Sequence, residues 1–469
     1  MRVTNAMLSN NMLLGLDRNM TKLNTLYEQM NTLKKIQRPS DDPIILGRSL
    51  KLRLNVLETE QYQTNVGEAK SWMEISEKAL GNTHKITDDI RYQCVQASNG
   101  PLEVDDRQKI LTTIEQLKKQ LIQEANANYA GRNVFGGYKT DKKVLFDKDT
   151  KMEEAFKFEQ TFTKDNVETV TYKEEEYHRI RLPYGDVDFT PADPPVDPAD
   201  PNILGGSNLG INGLPAGVTV RVASSTDIPA KATPAESFYY PKEGEAYFLK
   251  DTGELIMHKN DTDKIGHDGI TISYGKTNFK AGDPNPELFF DVKAPTPPAT
   301  DPLDPPIYTA SKPSQKIEYE IGIGTKLNIN VLGKDIYNPM MLRDIDELSH
   351  VLGVYDTVEK DINGDIPNRH HKETINLSKL FSNSIGNMDK ALKAVSGVQA
   401  DLGSRMKRLD LTGKRLGDDE ISFTELLSRT EDVDVKRAYT DFNTQFAVYQ
   451  SALQATARVV QPTLMDFLR

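Results

Sequence analysis

An apolar side chain recurs every seventh residue at both ends of this 469-residue chain, and no other feature constrains its fold so tightly. Near the carboxyl end Tyr439, Phe446, Leu453, Val460 and Phe467 form one column, with Phe442 and Tyr449 three or four residues to the side. Near the amino end Leu16, Leu23 and Met30 form another, flanked by Leu26 and Leu33. A seven-residue period draws a narrow apolar seam along a helix, and such seams pair helices lengthwise. The spacing predicts that the two ends of the chain meet. One helix pair cannot cover that much apolar surface, so these twelve residues are also expected to meet further copies of the chain. The pattern points to an assembly protein.

The chain is long enough for about two to four domains. Its apolar fraction of 37% and charged fraction of 27% favour several small cores over one large one. The net charge of −11 is unevenly placed: residues 146–330 hold 31 acidic against 19 basic side chains, which leaves the flanks near neutral. That central block is expected to face solvent while the flanks pack. No basic face suggests nucleic acid, and no run is long and apolar enough for a membrane. Residues 1–30 are broken by Asn10, Asn11, Asp17, Arg18, Asn19 and Lys22, so they do not read as a cleavable secretion signal. The lone Cys94 excludes an intrachain disulfide and reads as a small buried filler.

The first helix is expected from about Asn5 to Ile36, ended by Arg38-Pro-Ser-Asp-Asp-Pro43, where Ser40, Asp41 and Asp42 can cap a second. That second stretch runs without proline to Asn99, its face marked by Leu46, Leu50, Leu54 and Leu57, then by Val66, Ala69, Met73, Leu80, Ile86 and Ile90. A third helix carries Ile110, Ile114, Leu117, Leu121 and Ala125. Glycines at 131, 136 and 137 then suit a tight β excursion. Residues 146–330 hold 19 of the 25 prolines, with strand-like stretches at Val218–Ala223, Glu245–Lys259 (folding back at Asp251–Gly253) and Gly269–Tyr274. Ile317 to Val331 alternates as a returning hairpin. Phe381, Ile385, Met388, Leu392, Val395, Val398, Leu402, Met406 and Leu409 keep helical spacing, and a polar region through Gly413 and Gly417 is expected to part this helix from the terminal one.

The resulting fold class is mainly α with an inserted β domain. The terminal helices form a long hairpin-like coiled-coil rod, with the chain ends at one pole and the insert at the other. Residues 1–40 and 435–469 make the terminal domain, 41–145 and 332–434 a helical rod domain, and 146–331 a β-rich, proline-rich outer domain.

No constellation supports catalysis, and no cofactor or metal is expected. His84, His178, His258, His267, His350, His370 and His371 form no metalloprotease pair. Gly322-Ile-Gly-Thr-Lys326 lacks the spacing of a phosphate loop and reads as a strand bend. Asp147-Lys-Asp149 lacks the rest of a calcium loop, and the acidic runs Glu174–Glu176 and Asp193–Asp200 read as solvated surface.

Arg38–Pro43 after a heptad helix, and Asn126-Ala-Asn-Tyr-Ala-Gly-Arg-Asn-Val-Phe-Gly-Gly137 after a third helix, closely resemble the amino-terminal region of the bacterial flagellin superfamily. The final segment Ala455–Arg469, together with Ile317–Gly324 and Asn328–Tyr337, resembles the junction proteins between flagellar hook and filament. The resemblance covers about residues 1–145 and 315–469. It implies a tubular self-assembly: terminal helices inside, middle helices around them, the variable insert outward. It implies hook-associated protein 1 on the hook side, flagellin on the filament side and a chaperone holding the carboxyl-terminal helices before export. Export would follow the flagellar type III route, without a cleaved signal, to the extracellular flagellum. Flagellin itself is the alternative. It shares the amino-terminal motifs, and the large insert favours it, whereas the carboxyl-terminal half favours a junction protein.

Overall fold

A computed structural model describes the chain apart from residues 1–4, 37, 39, 41, 99–103, 173–174, 191–203, 205–208, 225–240, 294–305, 349–376 and 461–469. The helices are α1 (Asn5–Thr32), α2 (Pro43–Ala97), α3 (Val104–Ala125), the short α4 (Lys259–Asp263), α5 (Pro286–Phe289), α6 (Gly333–Ile336) and α7 (residues 339–348), then α8 (Leu377–Glu431) and α9 (Val435–Val460). The chain divides into two compact units. One comprises Met1–Gly67, Glu320–Thr325 and Leu409–Arg469; the other comprises Glu68–Tyr319 and Lys326–Arg408.

In the first unit α1 and α9 pair antiparallel: Asn19 meets Gln445, Met20 meets Tyr449 and Lys34 meets Asp432. Thr32 ends α1 four residues before the expected Ile36, because Leu33 turns into the left-handed region (φ 59°) and reverses the chain. Asp42 caps α2 as its sequence suggests, its Oδ1 accepting the backbone N–H groups of Ile44 and Ile45 at 3.0 Å. The expected separation at Gly413 and Gly417 is not there: α8 runs through both to Glu431. A glycine inside a helix costs only about 1 kcal/mol, and at Gly413 it clears space, since a Cβ there would lie 3.2 Å from Val66 Cγ1. The break falls instead at residues 432–434, where Asp434 Oδ1 accepts the N–H of Lys436 at 3.0 Å and caps α9.

The second unit has a helical core of Met73, Leu80, Ile90, Cys94, Ile114, Leu121, Phe381, Met388, Val395 and Leu402, all buried. Burial pushes the Cys94 thiol up to about 12, so it is an inert filler. A small hairpin, β1 (Asn128–Tyr129) and β2 (Arg132–Asn133), turns at Ala130 and Gly131, both with positive φ.

Strands β3 (Thr150–Phe162), β4 (Glu168–Tyr172), β5 (Glu175–Arg181), β6 (Leu209–Asn212), β7 (Thr219–Ala223), β8 (Glu245–Leu249), β9 (Glu254–Met257), β10 (Ile270–Phe279), β11 (Phe290–Lys293) and β12 (Ile307–Ser311) form two five-stranded sheets. Their orders are β11-β12-β3-β10-β6 and β4-β5-β9-β8-β7. Aromatic rings fill the first sheet's face, Phe158 stacking on Tyr274 at 4.9 Å and meeting Tyr184 at 5.1 Å. The returning hairpin is β13 (Glu318–Gly322) and β14 (Thr325–Asn328), and the Gly322–Lys326 stretch spans its turn, made by Ile323 and Gly324. The segments expected as strands are β7, β8, β9 and β10. The charged β4 and β5 were not expected, and neither were β3, β6, β11 and β12.

Candidate assembly surface

Met12, Leu16, Asn19, Leu23, Leu26 and Met30 are half-buried along α1, spaced alternately four and three, and Gly15, Glu28 and Gln29 at their side are half-buried too. Four of the five amino-terminal residues singled out by periodicity therefore lie in the seam. Leu33 does not, being half exposed beyond the helix end. On α9 the inward positions are Ala438 (3% exposed), Phe442, Gln445 (9%), Tyr449, Ala452 and Thr456. Phe442 and Tyr449 thus face α1, while Tyr439 (57%), Phe446 (42%) and Leu453 (42%) sit one residue further round and remain exposed. Val460 closes α9, and Phe467 lies outside the described residues.

An equivalent column escaped the sequence reading. Leu13, Met20 and Tyr27 each follow a seam residue by one position and are each more than half exposed. The Tyr27 ring leans on Phe442 at 6.3 Å, and Phe442 stacks on Phe446 at 6.1 Å, so the two exposed columns adjoin on one side of the pair. Their seven-residue spacing was visible; what the sequence lacked was the phase that separates the inner column from the outer one.

The same inversion recurs on the early part of α2. Ser49 and Thr59 are buried there, whereas Leu50, Leu54 and Leu57 are each more than half exposed and Ile44 is 84% exposed. Later on the same helix Val66, Ala69, Met73, Leu80, Ile86 and Ile90 are buried as expected. On α8, Leu411 and Ile421 also point outward. In this unit Ser49, Thr59 and Gln445 take inward positions beside apolar ones, while a further set of large apolar side chains faces water. Completing the burial of each half-exposed side chain would contribute on the order of 1 kcal/mol, so a dozen of them can drive association.

Where α1 and α9 meet their neighbours, two chain breaks lie side by side. Lys35 N–H donates to the Glu431 carbonyl at 2.7 Å, and Val433 N–H to that of Leu33 at 3.0 Å. The Glu431 side chain, 5% exposed, accepts from Ser49 Oγ and from Arg53 Nε at 3.0 Å each, and Lys34 Nζ stands 3.4 Å away. Its hydrogen bonds from Arg53 hold the carboxyl below the usual range despite burial, and Lys34 does the same for Asp432.

The second unit holds a buried charge cluster that the sequence reading also missed. Arg179 donates to Glu254 and Glu347 at 2.8 Å, and Arg181 to Asp344 at 2.7 Å and Glu168 at 2.7 Å. Burial pushes Glu347 up, but Arg179 and then Arg181 outweigh it and hold the carboxyl at about 2. The cluster fastens β4, β5 and β9 to α7. Among the described residues no group of three His, Cys, Asp or Glu side chains could hold a metal, and His350, His370 and His371 lie outside those residues. Asp147 is paired with Lys143 at 2.6 Å, and Asp149 accepts the Ala281 N–H. The proline runs and the acidic run at 193–200 fall outside the described residues. Among the described residues no helix is long and apolar enough to cross a membrane.

The helical region at the amino-terminal end of bacterial flagellin matches residues 3–140, and its carboxyl-terminal helical region matches residues 385–468. The flagellar hook-associated protein 3 of Salmonella typhimurium is 30% identical over 142 residues, covering 30% of this chain and 45% of that protein. The protein of the same name from Escherichia coli is 35% identical over 115 residues, covering 24% of this chain and 36% of its own. A flagellin of Clostridium tyrobutyricum is 28% identical over 126 residues, covering 27% of this chain and 33% of that one. The chain spans less than half the length of these curated relatives.

Proposed function

We propose that this chain, which carries both terminal helical regions of the bacterial flagellins, is a structural protein of the flagellum that joins hook to filament, a hook-associated protein 3. The observation that carries the assembly reading is the set of exposed apolar columns on the first unit, with Leu13, Met20, Tyr27, Tyr439, Phe446 and Leu453 outward while the polar Ser49, Thr59 and Gln445 are inward. Side chains so placed gain from neighbouring copies what one chain cannot give them. In this reading residues 1–40 and 435–469 line a tube, 41–145 and 332–434 surround it, and 146–331 face outward. The tube is made of copies of this chain, with hook-associated protein 1 below and flagellin above. A chaperone covers the carboxyl-terminal helices before export without a cleaved signal. Flagellin is the second reading, favoured by the Clostridium relative and by the size of the insert. A mass census of purified hook-filaments separates the two: a thin zone of this chain supports the junction, and its presence along the whole filament supports flagellin.

The surface itself is tested by Leu453→Asp. Leu453 is 42% exposed in the single chain, so the soluble protein should melt as the parent does. In an assembly the charge would be buried at a cost on the order of several kcal/mol per subunit, and incorporation should fail. Cells carrying it should shed unpolymerised flagellin, and normal filaments on them would overturn the assignment of this column.

A further inference from the structure

The α1–α9 seam cannot choose its own register. Its apolar positions repeat every seven residues on both helices, so sliding α1 by seven again lays apolar side chains on apolar side chains. Such a slide is about 10 Å, and the connector of residues 33–42 is long enough to allow it, whereas the three residues 432–434 hold α9 close to α8.

We propose that two polar keys select the register of the terminal pair: the Asn19–Gln445 amide pair within the seam, and the Glu431 joint at its end. Asn19 Oδ1 accepts a hydrogen bond from Gln445 Nε2 at 3.2 Å, and no other residue of the α1 seam carries a side-chain amide. A slide of seven residues sets Asn19 beside Ala438 or Ala452, which offer no partner, and strands the Gln445 amide against apolar side chains. The joint acts on the same coordinate. Glu431 gathers Ser49 and Arg53 of α2 and Lys34 of the connector, while the backbone bonds of Lys35 and Val433 hold the two breaks together. The neighbouring Asp432 takes Lys34 at 2.6 Å. Sliding α1 away requires Lys34 to leave both carboxylates and Lys35 to leave the backbone carbonyls of Glu431 and Arg429. The proposal concerns the helix pair itself and does not depend on whether the assembly is a junction or a filament.

The test uses the full chain with Cys94→Ala and a short bis-maleimide. Met20→Cys with Tyr449→Cys reports the native register, because these side chains meet at 4.0 Å. Met20→Cys with Thr456→Cys reports the register slid by one repeat. With both keys intact only the native pair should cross-link. Removing both keys, by Asn19→Leu with Gln445→Leu and by Glu431→Gln, should raise the slid cross-link by roughly tenfold or more, since each stranded buried amide or charge costs at least about one such factor. Exchanging the amides, Asn19→Gln with Gln445→Asn, should restore the native-only pattern, which a general loss of stability would not do. The proposal is overturned by a slid cross-link in the parent, or by a double-key variant that stays native. It is also overturned if that variant cross-links in neither register, because the keys would then hold the pair together without choosing its alignment.

Discussion

Arg181 shows at the scale of one residue how much the second unit stakes on charge. Its guanidinium is 2% exposed and meets Asp344, Glu168 and Glu347. Replacing it by Met keeps most of the volume and strands buried carboxylates, a change that typically costs about 3–5 kcal/mol. Arg181→Met should therefore lower the urea midpoint of the second unit at neutral pH. The pH dependence should also reverse. In the parent, Glu347 is held at about 2, so its contribution is present above the ordinary glutamate range and is lost as pH falls toward 2. In the variant the unpaired acids should titrate above their unfolded values, so acidifying toward about pH 4.5 should restore part of the loss. Urea melts of both proteins at the two pH values check this, and parallel curves would refute it. None of this was legible in the sequence, which placed the charged block of residues 146–330, with Glu168, Arg179, Arg181 and Glu254 in it, against solvent. Their partners come from strands and a helix up to 168 residues apart, and composition carries no information about that.

At the scale of elements, long helices were legible and their phase was not. Proline-free stretches and caps such as Asp42 announced α2, and regular apolar spacing announced the early part of α8. The two columns of α9 had the period of the helix, but the period alone did not say that Phe442 and Tyr449 face α1 while Tyr439, Phe446 and Leu453 face outward. A pair of helices is a shallow enclosure, and it seats Ala438 and Gln445 inside while Tyr439 and Phe446 stay out. Gly413 and Gly417 misled for a related reason. Glycine weakens a helix by little, and neighbours decide the outcome. The two should separate by substitution: Gly417 has nothing within 4 Å of a Cβ, so Gly417→Ala should stabilise by up to about 1 kcal/mol. Gly413→Leu should destabilise by about 1–3 kcal/mol as the side chain meets Val66. Thermal melts that shift in the same direction would refute this account of α8.

For the whole molecule, the insert is more than an ornament. Removing Lys148–Pro313 and rejoining the ends would take Arg179 and Arg181 away from α7, leaving Asp344 and Glu347 without the two guanidiniums that hydrogen-bond them. Hydrogen exchange over residues 339–348 should then accelerate by an order of magnitude or more, while α3 stays protected. Equal protection of α7 in the shortened chain would show that its anchor lies elsewhere. The outward leucines and aromatics of the first unit carry a different consequence. In the proposed assembly those side chains are covered by other copies, and the stability of this unit then becomes a function of protein concentration as well as of sequence. By mass action its melting temperature should climb with concentration while that of the second unit stays fixed, and below a threshold concentration no polymer should form at all.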